Sequence, residues 1–115
     1  MIPERGDILH IQFDPSSGKE MLGKHYCLVV SPRSFNARFR LAMVCLISGG
    51  TAEVARNSGF LISLMGCGLR TDGAVHAHQL KSLDWAARQA AFVEKAPDVV
   101  LQEVLDCLAA VLEDD

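Results

Sequence analysis

The sequence predicts a mainly β domain with one C-terminal α-helix, a small twisted antiparallel barrel capped by that helix. Two observations carry this: five or six short apolar runs follow one another with turn residues between them, and helical spacing appears only after Pro97. With 115 residues, residues 1–115 are expected to form a single domain around one core.

The elements follow in order. Asp7 to Phe13 alternates, with Leu9, Ile11 and Phe13 on one side and Ile8, His10 and Gln12 on the other, which reads as a strand with one buried face. Asp14-Pro15-Ser16-Ser17-Gly18 is a dense turn signal, and the polar stretch runs on to Lys24, long enough to suggest a functional loop. Cys27 to Val30 is a short apolar, β-branched run stopped by Ser31-Pro32, as a buried strand should be. Ser34 to Arg40 is expected to be a basic connector, and Leu41 to Ile47 a further strand ended by Ser48-Gly49-Gly50. Phe60, Ile62 and Leu64 alternate in another strand, followed by the turn Gly66-Cys67-Gly68.

Ala74 to Leu80 is the strand with the most chemistry. Period-two geometry puts His76 and His78 on one face, about 6 to 7 Å apart, with Val75 and Ala77 on the other. Ser82 to Arg88 suggests a short turn of helix and Ala91 to Val93 a small strand. After Pro97, the stripe Leu101, Val104, Leu105, Leu108 and Leu112 predicts an amphipathic helix.

Half of the residues are hydrophobic and 22% are charged, the balance of an ordinary globular protein. No apolar run approaches the ~18 residues of a membrane span, so no membrane partner is expected and the chain reads as cytoplasmic. Cys27, Cys45, Cys67 and Cys107 are far apart, with no C-x-x-C pair, and are expected to be buried thiols rather than a zinc knuckle or a disulfide framework. The net charge of -3 is uneven. All 11 Lys and Arg precede residue 96, against eight of the 14 acids, for +3; residues 96 to 115 hold the other six acids and no base, for -6. A basic body is compatible with a local phosphate-binding surface.

The motifs themselves resemble a known family. Glu4-Arg5-Gly6-Asp7-Ile8, Phe13-Asp14-Pro15, Gly18-Lys19-Glu20, Val29-Val30-Ser31-Pro32, Ser34-Phe35-Asn36, Ser48-Gly49-Gly50, Ser58-Gly59-Phe60, Gly68-Leu69-Arg70-Thr71 and Gln79-Leu80-Lys81-Ser82-Leu83-Asp84 follow, in order, the pattern of the PemK/Kid and ChpB toxins of the MazF/PemK family, over about residues 4 to 112. The resemblance implies an SH3-like antiparallel β-barrel of the PemK/CcdB toxin type and a homodimer. It implies a cognate antitoxin as partner, and contact with operator DNA only in complex with that antitoxin. It also implies cleavage of single-stranded RNA at short preferred sequences with no metal or other cofactor, the 2'-hydroxyl attacking the adjacent phosphate.

PemK-like enzymes draw their chemistry from an Arg and an Asp two apart on the late strand, a second Arg before the buried strand, a Thr near the Gly-Gly turn and a His in the long loop. Here those positions read His76, His78, His25, Ile47 and Lys19, and all five differ. Either catalysis has been rebuilt on histidine, or the nuclease is weakened or lost and antitoxin and nucleic-acid binding remain; gyrase poisoning of the CcdB kind is a third possibility. In the first case His76 and His78 push their pKa values apart and serve as base and acid, assisted by His25, with Lys19, Ser48, Arg70 and Arg33 around the phosphate. A His-x-His pair also suits a metal, but needs a third ligand such as His25 or Asp72. Set against each reading is the plain one: His10 as an ordinary strand residue, Arg33, Arg38 and Arg40 as solvated charge, Phe35 and Tyr26 as packing, Trp85 as core or dimer contact. Antitoxin contact is expected over the 14 to 24 loop and the 49 to 58 segment.

Overall fold

The structure is a computed structural model that describes residues 1–13, 24–49 and 59–113. Six antiparallel strands form one sheet: β1 (Asp7–Gln12), β2 (Lys24–Val29), β3 (Ala42–Ser48), β4 (Leu61–Ser63), β5 (Ala74–Leu83) and β6 (Ala91–Lys95). Their spatial order is β4-β5-β3-β2-β1-β6. Helix α1 (Arg33–Phe39) joins β2 to β3, and α2 (Asp98–Glu113) ends the chain. The edge strands are brought together by side-chain bonds. After β4, the backbone N–H groups of Arg70 and Thr71 and the Thr71 hydroxyl donate to the Glu94 carboxylate of β6, at 3.1, 2.8 and 2.7 Å.

Both faces of the sheet are buried. One side joins Ile8, Leu28, Cys45, Ile47, Val75 and Ala77 to Val100 and Val104 of α2. The other joins Leu9, Ile11, Phe13, Cys27, Val29, Val44, Leu83 and Trp85. The expectation that β1 hides one face is therefore corrected: Ile8 is as buried as Leu9, because α2 covers the side that alternation left to solvent.

Several boundaries also shift. The segment after Pro32 is a helix rather than a plain connector, and its residue Asn36 is fully buried. There Asn36 donates through Nδ2 to the carbonyls of Pro3 and Ser31, at 2.9 and 3.1 Å, and accepts the Ser31 hydroxyl at 2.5 Å. The indole of Trp85 donates to the Asn36 carbonyl, which makes Trp85 a core residue. β5 runs on to Leu83, through residues expected to start a helical turn; the turn begins beyond it, where the Asp84 carboxylate accepts the Ala87 N–H. On α2 the helical stripe holds, but Val100 joins Val104 in the core, while Leu112 at the far end is exposed. Of the four thiols only Cys27 and Cys45 are buried; Cys67 and Cys107 are half-buried, and all four are free.

Candidate active site

β5 does not keep one register against β3. At its start Ile47 pairs with Val75 and Ser48 with Ala74, whereas further along Cys45 pairs with Leu80, Val44 with Lys81 and Ala42 with Leu83. One residue of β3, Leu46, thus faces four of β5, His76 to Gln79. Three surplus residues reverse the alternation, since side chains change face at every step. The cores register the reversal: Val75 and Ala77 lie in the α2 core, and Leu83, also odd-numbered, lies in the opposite one.

His76 stands on the face opposite Val75, beside Ser48, and the Ser48 hydroxyl and His76 Nε2 are 2.5 Å apart. The His76 and His78 rings are 5.9 Å apart between centroids, as their spacing predicts, and His78 meets Phe60 edge-on at 5.8 Å. Extending the β2–β3 pairing one step beyond Tyr26↔Ile47 sets His25 opposite Ser48, on the same face. Phe13 packs edge-on against His25 at 5.4 Å, and its carbonyl accepts Arg88 Nη1 at 2.8 Å. The Nε2 of His25 is buried and has no hydrogen-bond partner among the described residues. That is an unusual state for a buried polar atom.

The His76 imidazole is held below its ordinary pKa, first by burial, which penalises the charged ring, and second by the charge of His78. Repulsion within the pair therefore contributes, but desolvation leads. A neutral His76 can accept a proton from a hydroxyl at Nε2, the nitrogen that meets Ser48.

The strand end is locked by backbone. Gly73 has φ +109°, and a Cβ there would lie 2.2 Å from the Ser48 carbonyl oxygen. Only glycine lets the two chains approach so closely. Next to His76, its pairing partner Leu61 and its strand neighbour Ala74 help line a cavity of about 430 Å³, shared with Ser63, Asp72, Gly66 and Gly68.

The structure thus brings together His76, His78 and Ser48 by contact, and His25 by register. Ile47 is buried in the α2 core, so the hydroxyl at this site comes from its neighbour Ser48. Arg70, expected at the phosphate, is exposed, and its Nη2 donates to the Val93 carbonyl of β6 at 2.7 Å, a bond that helps to hold the sheet edges together. Arg33 is exposed at the start of α1, where no described contact joins it to the histidines. Lys19 and most of the expected antitoxin-binding segments lie outside the described residues. His10 stacks on Tyr26 at 4.6 Å, and Phe35 packs on Phe39 at 4.9 Å. Among the described residues, no three His, Cys, Asp or Glu side chains form a group that could hold a metal ion.

Sequence reasoning missed Lys81. Counted by parity from His76, it belongs to the opposite face; after the reversal it pairs with Val44 and lies over the Phe13 ring, Nζ 5.9 Å from the centroid.

Fold and site together define a small antiparallel β-barrel protein in which His76, His78 and Ser48 meet on one sheet face. The chain belongs to the PemK-like, MazF-like toxins of type II toxin-antitoxin systems, whose family model matches residues 4–112. It is 38% identical over 109 residues to Endoribonuclease PemK of Escherichia coli, covering 95% of this chain and 81% of that protein. It is 36% identical over 111 residues to Endoribonuclease toxin ChpB of Escherichia coli (strain K12), covering 96% and 94%. The crystal structure of MazF from Deinococcus radiodurans matches with a TM-score of 0.84 at 30% identity over 97% of each chain. A MazE-MazF structure from the same organism matches at 0.85 and 30%, over 100% and 99%.

Proposed function

We propose that this protein is an endoribonuclease toxin that cleaves single-stranded RNA without a metal, with histidines doing the acid–base work. The observation that carries the reading is the contact between the Ser48 hydroxyl and His76 Nε2, beside His78.

Cleavage of an RNA strand needs a base for the 2'-hydroxyl, an acid for the departing oxygen and donors for the crowded phosphate. Neutral His76 takes the 2'-hydroxyl proton, and the freed oxygen attacks the adjacent phosphorus. The bond from phosphorus to the 5'-oxygen breaks, and protonated His78 supplies that oxygen's proton. The products are a 2',3'-cyclic phosphate and a 5'-hydroxyl, with one proton accepted and one delivered. Ser48, released from His76 when RNA binds, donates to a non-bridging oxygen. His25, whose Nε2 has no hydrogen-bond partner among the described residues, offers a further polar group on the same face. Burial favours His76 as the base, because it holds that imidazole's pKa down and so keeps the ring neutral near pH 7.

As a toxin of this family the protein works as a homodimer, held inactive by a cognate antitoxin and touching operator DNA only in that complex. Support for the antitoxin comes from the MazE-MazF complexes among its structural relatives.

The test is cleavage of a mixed-sequence RNA from about pH 5 to about pH 9 with chelator present, by the native protein and by His76→Ala and His78→Ala. A bell-shaped rate, cyclic phosphate ends and loss of activity in either variant are expected. Folded protein that binds RNA yet never cuts it would leave the binding-only homologue in its place.

A further inference from the structure

Lys81 is exposed, and among the described residues no carboxylate lies within ion-pair distance of its ammonium. Its described contact is the ring of Phe13, the residue that follows β1, and β1 stands three strand positions from β5 in the sheet order. Sheet curvature thus brings the ammonium to the ring that packs edge-on against His25. The three surplus residues of β5 are what place it there; without the reversal it would sit on the α2 side. A lysine that reaches the buried ring packed against His25, with no carboxylate of the described residues within ion-pair distance, is placed to meet an anion. The ring face adds a modest attraction that fixes the ammonium without neutralising it.

We propose that Lys81 is a substrate-binding residue that holds a backbone phosphate of the RNA strand at the His25 end of the site. This rests on the ribonuclease reading above, but it concerns binding rather than the chemical step. Lysine serves here as a point charge, so arginine should replace it, whereas a neutral side chain of similar length should not.

The experiment measures binding of a single-stranded RNA oligonucleotide made uncleavable by 2'-O-methyl riboses, across a range of salt concentrations, for the native protein, Lys81→Gln and Lys81→Arg. Loss of one phosphate contact should weaken binding about tenfold and flatten the slope of log affinity against log salt by about 0.7, the value for one contact on a single strand. Lys81→Arg should restore both. With cleavable RNA, Lys81→Gln should raise KM about tenfold and leave kcat within about twofold, as loss of uniform binding does. The proposal is overturned if Lys81→Gln binds with native affinity and slope, or if Lys81→Arg is as impaired as Lys81→Gln. Native protein that binds the oligonucleotide but cuts no RNA would sink the ribonuclease reading alone, since the binding comparison still decides the role of Lys81.

Discussion

Two polar clusters sit at opposite ends of β3, and they are finished differently. At the start of the strand, Ser31, Asn36 and Trp85 form a buried network in which the Met43 N–H also donates to the Ser31 hydroxyl. At its end, Ser48, His76 and His25 lie half-buried, with one short contact and one imidazole nitrogen that has no partner among the described residues. A satisfied buried network fixes a core, whereas donors and acceptors kept waiting cost stability and are kept for a ligand. The first cluster should answer to stability measurements and the second to activity.

The largest separation is expected from His76→Ala, which should lower kcat by about a thousandfold, within the range for general acid–base residues. Thermal unfolding should stay within about 2 °C of native, since this half-buried ring packs in no core. A large drop in Tm would place the imidazole in the structural class instead. Gly73→Ala should cross the boundary: its Cβ collides with the Ser48 carbonyl and its φ is unfavourable to any side chain. Displacement of Ser48 by about 1 Å is expected to cost roughly a hundredfold in kcat, and the strain about 1–3 kcal/mol of stability. Native kinetics in that variant would show that Ser48 need not be held.

Asn36→Ala should behave in the opposite way to His76→Ala. It strands the carbonyls of Pro3 and Ser31 and the Ser31 hydroxyl in the core, which should cost about 2–3 kcal/mol. Tm should fall by roughly 10 °C, with activity per folded molecule unchanged at low temperature.

The smallest effect expected is a shift in the pH profile. Because the His76 pKa is lowered, its neutral form persists below the ordinary histidine value of about 6.5, and activity should decline only as pH falls through the lowered value. In His78→Gln the repulsion disappears while burial remains. The acid limb of the residual activity should then move to higher pH yet stay below the ordinary value. An acid limb that does not move would mean that the two rings are not coupled.

The sequence made the strands legible because alternation and apolar runs are local signals, and it placed His76 and His78 on one face for the same reason. Its motifs also carried the family resemblance, and with it the barrel. Helix α1 escaped because seven residues with a single buried member, Asn36, present no amphipathic stripe. Lys81 escaped because parity counting assumes an unbroken strand, and nothing in Gln79-Leu80-Lys81 announces the shift that the pairing imposes. The attachment of Arg70 to Val93 was invisible for a similar reason, since closure of the sheet edges is tertiary.

The register shift in β5 also constrains how the gene can vary. Substitutions between His76 and Lys81 alter single side chains, but removing one codon there would invert one half of the strand relative to the other. Either the histidines or Lys81 and Leu83 would then point to the wrong side of the sheet. Two codons could be lost with the facing preserved, so length changes in this stretch should be tolerated in pairs.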